Sequence, residues 1–319
     1  MSVNIKFPRR NFLLGSAALP FAGSATTVLS SNAHAAGHSA AKTNAPYSHY
    51  KVGDFIVTTL LAGARNANEP QKTFGMNVSA DEFNAFSAEN LIASDAFKAF
   101  FTPTVVDTGS EVVLFDTGLG GDVPGVVTAL EGAGYAPSDI TILVITHMHP
   151  DHIGGLMMGG KPTFPNAKIF TGSAEYNFWS KLDAGNRVGD MVAKMLTPMA
   201  DKITFLDDGG AVTSGITAMA AFGHTPGHMT YMLESNGQQL LIAADLANHY
   251  VWSLAKPDWE VRFDADKAAA AASRRKVFGM LAADKIPFIG YHMPFPAVGY
   301  VVARGNGFHY APETYQLSL

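Results

Sequence analysis

Three histidines and one aspartate fall within six consecutive positions of "VITHMHPDHIGG": His147, His149, Asp151 and His152. Imidazole and carboxylate are the side chains that hold divalent metals where thiolate is absent, and this chain has no cysteine at all. That absence also excludes disulfides, iron–sulfur clusters and cysteine nucleophiles. A single histidine is ordinarily a surface residue or a satisfied core residue. Four ligand-type groups that follow the apolar run "TILVIT" and precede Gly154-Gly155 point instead to a metal site. Alternate side chains of an extended segment share one side, so His147 and His149 can share an ion. Pro150 bends the chain, which places Asp151 and His152 on the next turn, aimed at a neighbouring position. Two ions are therefore expected, not one crowded ion.

The remaining ligands have counterparts downstream. "AFGHTPGH" presents His224 and His228, "LLIAADL" leads into Asp245, and "IPFIGYHMPF" contains His292. Each follows an apolar run, so strands must carry all of them to one common rim. Strand patterns occur at residues 54–61, 103–107, 111–116, 141–146, 167–171, 202–206, 216–222, 229–234, 238–244 and 286–291. Helical patterns occur at 80–100, 122–134, 154–158, 173–182, 186–198 and 264–284. These elements form two comparable halves that meet near residue 200, which predicts an α/β fold of two packed sheets with helices on the outer faces. Residues 64–101 form a long mixed insertion that is expected to rim a pocket. Arg274, Arg275 and Lys276 form a basic triplet in the last helical pattern and are expected on its solvated face.

The chain has 319 residues, 47% hydrophobic and 15% charged, enough for one large core. At the N-terminus, Arg9-Arg10 precede an apolar run, and Ala33-His34-Ala35 offer a cleavage site. Residues 1–35 therefore read as a twin-arginine signal peptide, with export to the periplasm or medium. Residues 36–46 read as a flexible lead-in and 47–319 as a single hydrolase domain. Removing residues 1–35, which carry Lys6, Arg9 and Arg10 and no acid, would take the formal net charge from −5 to −8. An acidic chain is a poor nucleic-acid binder, so the expected partner is a neutral or cationic small molecule. No stable membrane anchor is expected after processing.

"HMHPDH", "FGHTPGH", "AADL" and "YHMPFP", in this order and spacing, resemble the metallo-β-lactamase superfamily over nearly the whole mature chain. The resemblance implies a four-layer αββα sandwich with a dimetal site at one edge of the two sheets. It implies that His147, His149 and His224 hold one ion, that Asp151, His152 and His292 hold the other, and that Asp245 bridges them. It favours His224 over His228 as the ligand, leaving His228 a supporting place behind the site. Asp116 in "VVLFDTG" matches an element whose carboxylate orients a ligand histidine. Two ions roughly 3.5–4 Å apart would make a bridging hydroxide near neutral pH, with Asp151 and Asp245 the side chains most directly involved in catalysis. Zinc is the first expectation, with manganese, cobalt and iron as alternatives.

Asp245 separates this chain from the β-lactamases proper, which usually carry cysteine or serine there. "THMHPDHIGGL", "AEYNFWS" and "HMPFPAVGYV" resemble the branch of methyl parathion hydrolase and its lactonase and aryl-esterase relatives. That resemblance implies hydrolysis of a lactone or aryl ester, of the dihydrocoumarin or acyl-homoserine lactone type, with organophosphate triester hydrolysis as the alternative. An iron-dependent oxidoreductase and a non-catalytic metal-binding protein are the remaining readings. An apolar pocket is expected, with Trp179, Phe100, Phe101, His249 and Tyr250 as its candidate residues and Phe178 as a further one. Acyl-homoserine lactonases often have a tyrosine where this chain has Asn248. Dimers are common in the branch, and the insertion could supply a homodimer interface.

Overall fold

A computed structural model describes residues 45–122, 124–314 and 317. The expected signal peptide and residues 36–44 of the lead-in lie outside the described residues. The chain begins with the hairpin β1 (Tyr47–Val52) and β2 (Phe55–Leu60), followed by β3 (Gly63–Asn68), α1 (Ala80–Glu89) and β4 (Ala96–Phe101). Next come β5 (Thr104–Asp107), β6 (Val112–Phe115), α2 (Gly125–Gly132), β7 (Ile142–Ile145), α3 (Pro150–Ile153) and the short β8 (Met157–Met158) and β9 (Lys161–Pro162). The first half closes with β10 (Lys168–Gly172), α4 (Ser173–Trp179), α5 (Arg187–Met195) and β11 (Ile203–Leu206). The second half comprises β12 (Ala211–Thr213), β13 (Ile216–Ala220), β14 (Met229–Ser235), β15 (Gln238–Ala244), α6 (Trp252–Ala255), α7 (Lys267–Asp284), β16 (Phe288–Gly290), β17 (Val298–Arg304) and β18 (Gly307–Pro312).

The first half forms a seven-stranded sheet of order β1-β2-β5-β6-β7-β10-β11, and the second a seven-stranded sheet of order β12-β13-β14-β15-β16-β17-β18. Side-chain alternation explains why these sheets stack. Val113 and Phe115 of β6, with Ile142 and Val144 of β7, point into a core shared with Tyr231, Leu233 and Ile242 of the second sheet. The intervening Leu114, Leu143 and Ile145 face the other way and pack on Val126, Leu130 and Val192 of α2 and α5. On the far side, Leu241, Ala243 and Phe288 pack on Val277, Phe278 and Leu281 of α7. Each fully buried aliphatic or aromatic side chain contributes about 1.5–3 kcal/mol of transfer free energy. The result is the four-layer αββα sandwich that the sequence predicts.

All ten expected strands form, and the differences have local causes. The helix expected over 80–100 ends at Glu89; Leu91 has φ +57, and β4 then pairs with β3 in a separate hairpin. The helix expected at 154–158 lies earlier, at Pro150–Ile153, because a proline at the first helical position presets φ rather than bending the chain away. Gly154 caps that turn, and Gly155 follows it so close to the Thr117 carbonyl that a side chain would collide with backbone. The β17–β18 hairpin completes the second sheet although no strand was expected after residue 291. Phe74 and Phe83 of the insertion pack with Trp252, Trp259 and Val261 of the second half in a cluster of their own.

Candidate metal centre

Five strand ends deliver the site. Asp116 follows β6, the 147–152 segment follows β7, His224 lies beyond β13, Asp245 follows β15 and His292 follows β16. Two ligand groups result: His147, His149, His224 and Asp245, and beside them Asp151, His152 and His292, each with donor atoms within 4.8 Å of one another. In the first group His149 Nδ1 lies 3.2 Å from His147 Nε2 and 3.0 Å from His224 Nε2. In the second, Asp151 Oδ2 lies 3.5 Å from His292 Nε2 and 3.8 Å from His152 Nε2. Asp245 reaches both: its Oδ2 is 3.3 Å from His224 Nε2 and 3.1 Å from His292 Nε2, and its Oδ1 is 3.2 Å from His152 Nε2.

Partners on the far side of each ring decide which nitrogen faces inward. His152 Nδ1 donates to Asp116 Oδ2 at 2.8 Å, His224 Nδ1 to Asp264 Oδ1 at 2.9 Å, and His292 Nδ1 to the Phe100 carbonyl at 2.7 Å. His147 Nδ1 lies 3.1 Å from the Thr146 hydroxyl, which donates to Asp116 at 2.8 Å. These four rings therefore present Nε2, while His149 presents Nδ1. Asp116, at φ +61, and Ala244, at φ +47, hold a left-handed backbone that non-glycine residues seldom adopt, and both stand at the site.

The electrostatics suit cation binding. Burial pushes His147 and His149 well below the ordinary imidazole value, and the neighbouring histidines add to the shift. Neutral rings keep the lone pairs that a metal needs. For Asp245, burial works upward, but His292, His152 and His147 outweigh it and hold the carboxyl well below its usual range. Burial works downward on His224, and hydrogen bonds to Asp245 and Asp264 bring it to about 9. His152 Nε2 and Asp245 Oδ1 are buried and have no aligned hydrogen-bond partner. Such atoms cost about 1–3 kcal/mol each when left unsatisfied, and a divalent cation would satisfy both. The donor set, all nitrogen and oxygen, fits zinc and its neighbours.

Supporting residues emerge that the sequence does not advertise. Glu175 is fully buried, and its carboxylate accepts from Met148 N at 2.8 Å, Trp179 Nε1 at 2.7 Å, Thr225 Oγ1 at 2.7 Å and Gly227 N at 2.9 Å. It thereby ties the His147–His149 loop to the His224 loop, and Gly227 packs so closely on the Glu175 backbone that no side chain would fit between them. Asp264 is gripped by Arg274 at 2.8 Å. Arg274 is 1% exposed, which corrects its assignment to a solvated face; Arg275 and Lys276 are exposed as expected. The missing signal was that i, i+3 and i+4 neighbours of Arg274 on α7 are apolar. His228 stands behind the site: its Nδ1 donates to the Ala221 carbonyl, its Nε2 accepts from Asp245 N at 3.1 Å, and burial lowers it to about 3. Asn248 donates to Asp245 Oδ2 at 2.9 Å.

A cavity of about 630 Å³ opens above these groups, with His149, Asp151, Asp245 and His292 among its lining residues and Phe74, Phe97 and Phe101 in its walls. Phe101 meets His292 edge-on with ring centroids 5.7 Å apart. The other expected pocket residues lie elsewhere. Phe100 contributes its carbonyl to His292 and not its ring to the wall. Trp179 is half-buried, bonded to Glu175 and covered by Phe178, and its ring stands 6.1 Å from that of His149. His249 packs behind the wall, stacked on Trp252 at 4.0 Å and 5.5 Å from Phe74. Tyr250 packs on the outer face of the second sheet. The cavity is also less apolar than expected, since Arg65, Lys72, Arg187 and Arg262 line it.

Known proteins resemble this chain in sequence and fold. The Metallo-beta-lactamase superfamily matches residues 102–287, more than half of the chain. An N-acyl homoserine lactonase of Bacillus cereus is 24% identical over 151 residues, 47% of this chain and 56% of the relative. The lactonase AttM of Agrobacterium fabrum is 31% identical over 132 residues, 39% of this chain and 47% of the relative. The chain thus spans about half the length of these curated relatives. The solved structure of AidC, a dizinc quorum-quenching lactonase in complex with a product, N-hexanoyl-L-homoserine, superimposes with a TM-score of 0.78 at 28% identity, covering 85% of this chain and 98% of that one. The hydrolase AbOPH has a TM-score of 0.77 at 22% identity over 86% of this chain and 100% of its own, a likeness of fold. With the sandwich and the matched span in agreement, the chain belongs to the metallo-beta-lactamase superfamily.

Proposed function

We propose that this protein is a dinuclear metal-dependent hydrolase of lactones or aryl esters. Asp245 carries the reading: a single buried carboxylate faces His147 and His224 of one group and, through both oxygens, His152 and His292 of the other. Two divalent ions, when bound, would supply Lewis acidity and lower the pKa of a bound water. The chain's own work is positional. His147, His149 and His224 would hold one ion and Asp151, His152 and His292 the other, with Asp116, Thr146, Asp264 and Phe100 fixing the rings. The aromatic wall keeps bulk water from the electrophilic carbonyl and receives the apolar part of the substrate. The lactonase named among the structural relatives supports ring opening as the reaction, and the N-terminal Arg9-Arg10 pattern supports export by the twin-arginine route.

Metal analysis should find two equivalents of zinc, manganese or cobalt per chain. On that preparation, kcat/KM for dihydrocoumarin or an acyl-homoserine lactone should exceed that for methyl parathion. A methyl parathion value far above both lactones would overturn the substrate assignment. Asp245→Asn should abolish turnover and lower the metal content; full retained activity would overturn the dinuclear reading.

A further inference from the structure

The mouth of the cavity runs against the charge of the chain. The whole sequence has 27 acidic residues against 22 lysines and arginines. Yet four cations from separate segments converge on one opening: Arg65 from β3, Lys72 from the insertion, Arg187 from the start of α5 and Arg262 from the loop before α7. Lys72 is neutralised by Glu69 at 2.7 Å. The other acids of the lining, Asp151 and Asp245, are engaged with the histidines of the metal groups. Among the described residues, no acid pairs with the guanidinium of Arg65, Arg187 or Arg262, and no hydrogen bond engages it.

Two of the three lie over aromatic rings. The Arg65 guanidinium lies 5.8 Å from the centroid of Phe101, a wall residue that also meets His292, and that of Arg262 lies 4.8 Å from the centroid of Phe263, another lining residue. A cation over an aromatic face is attracted to the ring and keeps its N–H groups for a ligand. The guanidinium fork recognises carboxylate and phosphate bidentately. Low-dielectric walls below it, here Phe97 and Phe101, strengthen the field a ligand feels.

Building on the hydrolase reading above, we propose that the mouth selects esters or lactones carrying an oxyanion remote from the scissile carbonyl. Arg65, Arg187 and Arg262 bind that group and determine specificity. The neutral or cationic partner that net charge suggests is thereby replaced by an anionic one, because the average over the chain is reversed at the opening above the metal groups.

The test uses pairs that differ only at the acyl tip. N-hexanoyl-homoserine lactone is compared with its ω-carboxylate counterpart, N-adipoyl-homoserine lactone, and with an analogue ending in a phosphonate, which separates the two sources of oxyanion. On the metal-loaded protein, kcat/KM should be about tenfold higher for at least one charged member. The preference should shrink as salt is raised, because the mouth is exposed to solvent. It should fall to near unity in the triple variant Arg65→Gln, Arg187→Gln, Arg262→Gln, whose exposed positions make misfolding an improbable confounder; a lysine triple variant should recover part of it. The matching lactams, which resist ring opening, give the same comparison by calorimetric binding. Tip-dependent lactam binding without lactone turnover would sink the hydrolase reading and leave this one standing. Equal or absent binding of charged and neutral lactams, or a preference that survives the triple glutamine variant, would overturn it.

Discussion

Glu175→Gln tests whether the metal groups are positioned from behind. The carboxylate takes four donors, two on each oxygen, and an amide can replace only one of those oxygens as an acceptor. If the NH2 faces Met148 N and Trp179 Nε1, two N–H groups are opposed. If it faces Thr225 and Gly227, the hydroxyl can rotate to accept, and only Gly227 N is left opposed. The second arrangement is cheaper and strands one buried backbone donor, at about 1–3 kcal/mol. Part of this is offset because burial already pushes the Glu175 carboxyl above its ordinary value. Urea unfolding should therefore show a loss within that range, and Glu175→Ala, which strands all four donors, a larger one. The more telling readout is metal affinity. Glu175 contacts Met148, between His147 and His149, and Thr225, next to His224, but nothing beside Asp151, His152 or His292. Competition with a chelator should show affinity lowered about 10–100-fold for the tighter-coupled ion of the His147–His149–His224 group, with the other ion less affected. A folded Glu175→Gln protein with both affinities unchanged, or lowered equally, would refute the reasoning.

Two further perturbations follow from the buried polar network. Arg274→Met leaves Asp264 buried against His224 without its guanidinium, and should destabilise the protein by about 3–5 kcal/mol by thermal or urea unfolding; restoring most of that with Asp264→Asn in the same chain would identify the stranded charge as the cause, and no rescue would exclude it. Burial lowers His249 to about 3; the unfolded chain therefore takes up a proton below about pH 6.5 that the folded chain refuses, so this contribution is whole above pH 6.5 and is lost as pH falls toward 3, at about 1.4 kcal/mol per unit. In chelator, His249→Phe should flatten the fall in stability between pH 6.5 and 5 by about 2 kcal/mol relative to the parent chain, and parallel curves for the two proteins would refute the assignment.

The legible part of this protein is the part governed by alternation and by ligand type. Val113 to Phe115 and Ile142 to Ile145 read as strands because their side chains serve two cores in turn. Asp116, His147 and Asp245 stand out because a polar residue at the end of such a run must be served by something. Pairing across long sequence distances is not legible in this way. Nothing in "GSAEYNFWS" announces that Glu175 reaches Met148 and Gly227, and the apolar neighbours that turn Arg274 inward do not name Asp264 as its partner. The aromatic residues show the same limit. Trp179 and His249 have the composition of a pocket wall, but their polar nitrogens are claimed by Glu175 and by the Val251 and Trp252 amides, which fixes them outside it.

Net charge and the lining of the cavity report different things here. Net charge is a sum over the whole surface, and it constrains solubility and nonspecific binding more than it constrains one concavity. Twenty-seven acids can be spread over the sandwich while Arg65, Arg187 and Arg262, 122 and 75 positions apart in sequence, gather at a single mouth. Their convergence depends on the β3–β4 hairpin folding over the site and on α5 beginning beside it, and neither event leaves a local signature in the arginines themselves. Ligand-type residues stand at strand ends, which a sequence declares, whereas the arginines of the mouth are placed by the loops above them, which it declares only once the strands have been folded.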